Sequence, residues 1–301
     1  MSIELIFFFE VLAGGLLAGV MYALVALGFV LIYKASGVFN FAQGAMVFFA
    51  ALTFVSLTER GWNFWLALVV TLAVMVLLGI ATERVVLRPL VNQPQITLFM
   101  ATIGLTFVLE GFSQLVWGSQ PHGLELGIPD VPMEWLSQKW NVNISQFDLF
   151  AAAVAGGLVA VLALFFHKTR IGRALRAVAD DHQAALAVGI PLQHIWAIVW
   201  AVAGFVALVA GLLWGVRNGV QFALTFVALK ALPVLILGGF ESIAGAIVGG
   251  LIIGASEKLA EVYFGPYVGG GIESWFAYVL ALVFLLFRPQ GLFGEKIIDR
   301  V

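Results

Sequence analysis

Apolar residues run in long blocks along this chain, separated by short polar punctuation, rather than in the alternating or three-to-four spacing of a water-soluble fold. The blocks cover residues 5–33, 39–57, 64–80, 96–116, 147–166, 195–213, 222–237, 243–259 and 275–287. Most come close to or exceed the roughly 20 apolar residues that cross about 30 Å of hydrocarbon as a helix. A closed barrel would instead alternate over segments of about ten residues. The pattern therefore predicts an all-α, polytopic transmembrane helix bundle forming a single domain over residues 1–301, with about nine spans in a range of eight to ten. The first block is read as one tilted span, although Gly14 offers a place to split it.

Composition agrees with that class. Hydrophobic residues make up 62% of the chain and charged residues 11%, against about 45–50% and 25% in soluble domains. A formal net charge of −2 gives no reason to expect a nucleic-acid partner. The chain has no cysteine, which excludes disulfides and thiolate chemistry.

Basic residues mark one set of connections: Arg84 and Arg88; then Lys168, Arg170, Arg173 and Arg176; then Arg288, Lys296 and Arg300. The other set is acidic, with Glu59, Glu125, Asp130, Glu134, Asp148, Glu261 and Glu273. By the positive-inside rule the N-terminus lies outside and the C-terminus in the cytoplasm. Residues 118–146, with Trp135 and Trp140, then read as an extracytoplasmic loop, and residues 167–194 as a cytoplasmic segment.

The cytoplasmic segment is too long for a plain connection. Ala, Leu, Arg and Gln favour helix over 173–188, and Gly189 ahead of Pro191 is a stop signal. Two short helices are expected, basic at the start and acidic at Asp180 and Asp181. Such a segment either anchors at lipid headgroups or docks a cytoplasmic protein, and its length favours docking.

Glycines four apart occur at Gly15/Gly19, Gly211/Gly215, Gly245/Gly249 and Gly250/Gly254, a spacing that lets membrane helices approach closely. Polar groups inside the blocks are rarer: Asn40, Gln43, Glu110, Gln114, Lys230 and Glu257. A charge at mid-membrane costs roughly 2.5–3.5 kcal/mol on insertion scales, so each needs a partner, a cavity or the interface. Lys230 could pair with Glu110 or Glu241, or sit at a helix break before Pro233. Asn40 and Gln43, bracketed by Gly37 and Gly44, suit either a discontinuous helix facing a polar cavity or a capped helix start.

No phosphate-binding G-x-x-x-x-G-K-[ST] loop is present. His122, His167, His182 and His194 lack metal-ligand spacing, and no serine sits in a nucleophile motif. Nor does a channel filter stand out.

Eight motifs in order carry a family likeness: YALVALG from Tyr22 with GVFNFAQG from Gly37; ERVVLRPL from Glu83; ATIG from Ala101; GRALRAVADD from Gly172 with AVGI from Ala187; GGFESIAGAIVGG from Gly238; and RPQGLFG from Arg288. Over roughly residues 12–294 the chain resembles first-type permease subunits of the branched-chain amino acid family of ATP-driven importers. The resemblance implies a transport subunit rather than an enzyme, in a bacterial or archaeal cytoplasmic membrane. It implies as partners a second permease, two cytoplasmic ATPase subunits that use the ATP, and an extracytoplasmic solute-binding protein, with no cofactor bound by this chain. Gly172, Arg173, Arg176, Asp180, Asp181 and Gly189 would belong to the ATPase coupling region. Asn40, Gln43, Gly44, Glu110 and Lys230 become candidates for the translocation pathway. The family pattern N-F-A-H-G-E departs here to Asn40-Phe41-Ala42-Gln43-Gly44-Ala45. An imidazole becomes an amide and an acid becomes a methyl group, which widens the expected solutes to other hydrophobic amino acids, small amides or carboxylates. A stand-alone channel or ion-coupled carrier is the alternative.

Overall fold

A computed structural model describes residues 3–90, 93–180 and 182–294. Its backbone is helical, and the long elements follow the apolar blocks. Helix α1 (Ile3–Ser36) is followed by α2 (Gln43–Glu59), α3 (Phe64–Ala81) and α4 (Gln95–Trp117). A short α5 (Glu134–Trp140) precedes α6 (Gln146–Lys168), α7 (Arg170–Asp180), α8 (His182–Ala187) and α9 (Leu192–Asn218). The chain ends its helical part with α10 (Val227–Lys230), α11 (Leu232–Gly238), α12 (Ile243–Val268) and α13 (Phe276–Phe287). Among the described residues six helices are long and apolar enough to span a membrane, and three shorter apolar stretches (Gln43–Glu59, Phe222–Gly238 and Phe276–Phe287) complete a set of about nine.

The first span is one unbroken helix, so Gly14 does not split it. The real break lies in the seventh block: a 3-10 turn over Phe222–Phe226, then α10, then α11 after Ala231. Pro233 occupies the first turn of α11, where its missing N–H is harmless. Helix α3 instead runs on through a π-turn at Thr82–Leu87 into a 3-10 turn at Arg88–Leu90. The wider turn sets Glu83 and Arg88, five residues apart, face to face in a bidentate pair at 3.2 Å.

The chain divides into two compact units. One gathers the described residues of Met1–Ala26, Leu126–Ala160 and Lys230–Val301. Here the glycine pairs read from the sequence meet: a Cβ on Gly15 would stand 2.7 Å from the carbonyl oxygen of Gly254, and one on Gly19 would strike that of Gly250. Gly245 and Gly249 meet the α11 backbone at Gly238 and Val234 in the same way. In hydrocarbon such backbone contact takes the place of the hydrophobic driving force. This unit also holds α5, whose Lys139 lies over the exposed rings of Trp135 and Trp140 at 5.2 and 6.0 Å.

The other unit comprises residues 27–125 and 161–229. Helix α2 packs against α3, α4 and α9. It approaches α9 closely at Gly211, where a Cβ would come within 2.6 Å of the Val47 carbonyl oxygen. Trp196 Nε1 closes a buried hydrogen bond of 2.9 Å to the Ala35 carbonyl at the end of α1.

Candidate translocation and coupling sites

The turn between α1 and α2 is built to satisfy a backbone that has left the helix. Gly37 takes a left-handed φ of 68° and donates its N–H to Tyr33 O at 2.7 Å, an αL stop that a β-carbon would strain. Asn40 Oδ1 then accepts the Ala42 N–H at 3.0 Å, while Asn40 Nδ2 donates to Gln43 Oε1 at 3.3 Å. From α4, Thr102 Oγ1 accepts the Phe41 N–H at 3.2 Å and donates within helix α4 to Phe99 O at 2.8 Å. Phe39 stacks on Phe29 and meets Phe41 edge-on, which in turn meets Phe99. Asn40 and Gln43 are both 0% exposed, and Gly44 lies against the Thr225 carbonyl. The turn ahead of α2, residues 37–42, is thus closed by a buried amide, Asn40, while Phe41 is exposed. Gln43 Nε2 packs against Gly28 and has no hydrogen-bond partner among the described residues.

Lys230 stands at the break between α10 and α11. Its Nζ donates to Glu257 Oε1 of α12 at 3.0 Å, approaches Glu273 at 3.9 Å, and lies 5.9 Å from the Tyr22 ring centre. Lys258 completes the chain of charges, 2.9 Å from Glu273. The acid that answers Lys230 is therefore Glu257 rather than Glu110 or Glu241. The broken span ends its helix with Lys230 directed at α12, and Glu257 is 2% exposed, where an unpaired carboxylate would be costly. Glu261 is held otherwise, accepting the Gly271 and Glu273 N–H groups at 3.0 and 2.9 Å beyond the end of α12.

Glu110 and Gln114, one helical turn apart, lie on a different kind of surface. Glu110 is half-buried and Gln114 exposed, whereas the adjoining side of α4 buries Leu98, Thr102, Leu109 and Ser113.

Within residues 167–194, α6 and α7 meet at a tight elbow. Gly172 lies so close to the Phe166 carbonyl that any Cβ would overlap it. Thr169 Oγ1 accepts the Gly172 N–H at 3.1 Å, and Arg176 donates to Phe166 O at 2.9 Å and His167 O at 3.4 Å. Arg176 thereby satisfies carbonyls that the end of α6 leaves open. Leu175 and Val178 are buried on the same face, while Arg173 and Asp180 are exposed. Asp181 lies outside the described residues. After α8, Gly189 adopts φ 85°, and its N–H and that of Ile190 close on Leu186 O and Ala185 O. Leu186 and Val188, 53% and 75% exposed, were legible in the sequence only as helix-forming residues; their exposure required the fold. Among the described residues no group of His, Cys, Asp and Glu is arranged to hold a metal ion.

Comparison with known proteins supplies the class. A family described as the branched-chain amino acid transport system permease component matches residues 11–288. The Escherichia coli K12 high-affinity branched-chain amino acid transport system permease LivH is 27% identical over the whole of both chains. The corresponding permease BraD of Pseudomonas aeruginosa is 29% identical over 99% of each. A more distant match, the fructose import permease FruF of Bifidobacterium longum, is 24% identical over 79% of this chain and 66% of its own. With its helical membrane fold and a family match over nearly its full length, this chain belongs to the permease component family of the branched-chain amino acid transport system.

Proposed function

We propose that this subunit pairs with a sister permease to carry branched-chain or other hydrophobic amino acids, or a related small amide or carboxylate, inward across a cytoplasmic membrane. A solute-binding protein delivers the solute outside, and two ATPase subunits dock on α7 and α8 inside, with the N-terminus outside and the C-terminus in the cytoplasm. The observation that carries the reading is the α6–α7 elbow. It presents an exposed cation, Arg173, and the helix and turn that follow present the exposed apolar Leu186 and Val188, mixed chemistry suited to a protein rather than to water alone. The full-length likeness to LivH and BraD supports amino acids as the solute class.

In this reading the pathway candidates divide by exposure. Glu110 and Lys230 are accessible enough to meet a solute. Asn40, Gln43 and Gly44 act through the entry angle of α2. Gly172 and Arg176 hold the elbow, whereas Arg173, Asp180 and Gly189 lie where an ATPase grips. The test is reconstitution in liposomes with the partner subunits and binding protein. ATP-dependent uptake of leucine or phenylalanine is expected, and uptake that persists without ATPase subunits would identify a channel or carrier instead.

A further inference from the structure

Beside the glycine seam that joins α1 to α12 lies a hollow of about 210 Å³. Val20 and Ala23 of α1 form one wall, and Ile247 and Leu251 of α12 form a second. Gly156, Val159 and Ala160 of α6 form the third, so that every lining residue is apolar. Val20 and Leu251 each follow a glycine of the seam, Gly19 and Gly250, whose backbones leave no room for a β-carbon. The hollow exists because α6 offers small residues there: a Cβ on Gly156 would reach no closer than 3.4 Å to Val20. All three helices are long and apolar enough to span a membrane, and the α1 and α6 residues stand near the middle of theirs.

The chemistry of the walls selects the occupant. Water needs two to four polar partners and does not fill an apolar cavity. A zwitterionic solute would leave its ammonium and carboxylate unpaired. A further helix, about 10–12 Å across, is too wide to enter. A hydrocarbon tail carries no polar atom and is narrow enough. The surroundings supply one, because Ala160 belongs both to the hollow and to the outward stripe of α6, on which Phe150, Val161 and Leu164 are exposed. Across a membrane span the solvent of such a stripe is hydrocarbon.

We infer that this crevice between α1, α6 and α12 is a binding site for one acyl chain of a membrane phospholipid, which enters past Ala160 and packs along the glycine seam. The tail supplies dispersion contacts that the walls otherwise lack, which makes lipid part of the packing that seats α1. The inference needs a membrane-spanning fold and holds whatever the transported solute is.

For the test, the assembly is reconstituted in vesicles of phosphatidylethanolamine and phosphatidylglycerol that include a phospholipid with a diazirine midway along one acyl chain. After irradiation, peptides spanning residues 156–160 and 247–251 should carry the label. Gly156→Leu, whose side chain fills the hollow, should lose that label, while peptides holding Leu282 and Leu286, exposed on α13, stay labelled. In lipid-depleted detergent solution, adding phosphatidylglycerol should raise the Tm of the wild-type assembly by about 2–4 °C and leave that of Gly156→Leu unmoved. Gly157→Leu, at an open glycine beside it, gains the same helix propensity and should keep both the label and the Tm response. Ala160→Leu narrows the mouth at a position that already bears a β-carbon, and it should behave as Gly156→Leu does. A wild-type chain unlabelled in these peptides, or labelling and Tm response that survive both Gly156→Leu and Ala160→Leu, overturns the inference.

Discussion

Removing the ammonium of Lys230 would leave the Glu257 carboxylate inside the protein without its nearest cation. Fully buried pairs broken in this way lose roughly 3–5 kcal/mol; Lys230 is partly solvated, so Lys230→Met is expected to cost about 1–2 kcal/mol. Thermal unfolding in detergent would show it as a lowered Tm. The double variant Lys230→Met/Glu257→Leu should recover most of the loss, because the unpaired charge is then gone; a double variant as unstable as the single would refute this account. Asn40 offers a second contrast. Its amide closes a buried turn, whereas Asn63 caps α3 through an exposed bond of 2.9 Å to Trp65 N. Asn40→Ala should therefore destabilise by about 1–2 kcal/mol and Asn63→Ala by about half as much, and comparable Tm values for the two would contradict the buried-cap description. That Asn40 and Gln43 needed partners was legible in the sequence, since amides in an apolar block cannot stand alone. That Thr102, far along the chain, takes the Phe41 N–H of the same turn was not, because a threonine in a helix ordinarily bonds its own preceding turn.

At the scale of elements, the α6–α7 elbow separates two kinds of arginine. Arg176 ties the end of α6, so Arg176→Ala should lower the yield of folded protein as judged by size-exclusion chromatography. Arg173 makes no such tie, and Arg173→Glu should leave the fold and its Tm unchanged while reducing the ATPase that co-purifies. Normal ATPase recovery with Arg173→Glu would remove this residue from the docking surface. Gly172→Ala should behave like the stronger form of Arg176→Ala, since its β-carbon collides with the Phe166 carbonyl. Helix ends here were readable, as at Gly189, because a left-handed stop has a glycine signature. The broken seventh span was harder: residues 222–237 form an apolar block, and only Pro233 marks the interruption. The pairing of Glu83 with Arg88 was likewise hidden, because five-residue spacing places them together only once a π-turn has formed.

For the whole molecule, the family match and the helical membrane architecture describe a transport subunit, and the substrate question lies in how it and its partners share a pathway. Reconstituted with those partners, Glu110→Gln should change initial uptake rate more than the distant surface change Glu125→Gln does, with both proteins equally abundant in the liposomes. Equal rates would exclude Glu110 from the route. The crossing pattern was read well from the sequence, because hydrocarbon thickness imposes a minimum apolar length that few other constraints imitate. The partition into two units was not, since each unit draws on segments far apart in the chain and local pattern says nothing of which glycine face meets which.

The backbone contact between α1 and α12 bears on biosynthesis. Helix α1 leaves the ribosome first, yet Gly15 and Gly19 find Gly254 and Gly250 only when nearly all the chain has been made. Throughout insertion this narrow strip must be shielded by lipid, an insertase or a provisional neighbour, in contrast to domains that close as they emerge. The last spans to be synthesised thus decide whether the first one is correctly seated, so premature termination before α12 would yield a membrane-inserted chain with an open seam, a natural mark for quality-control proteolysis.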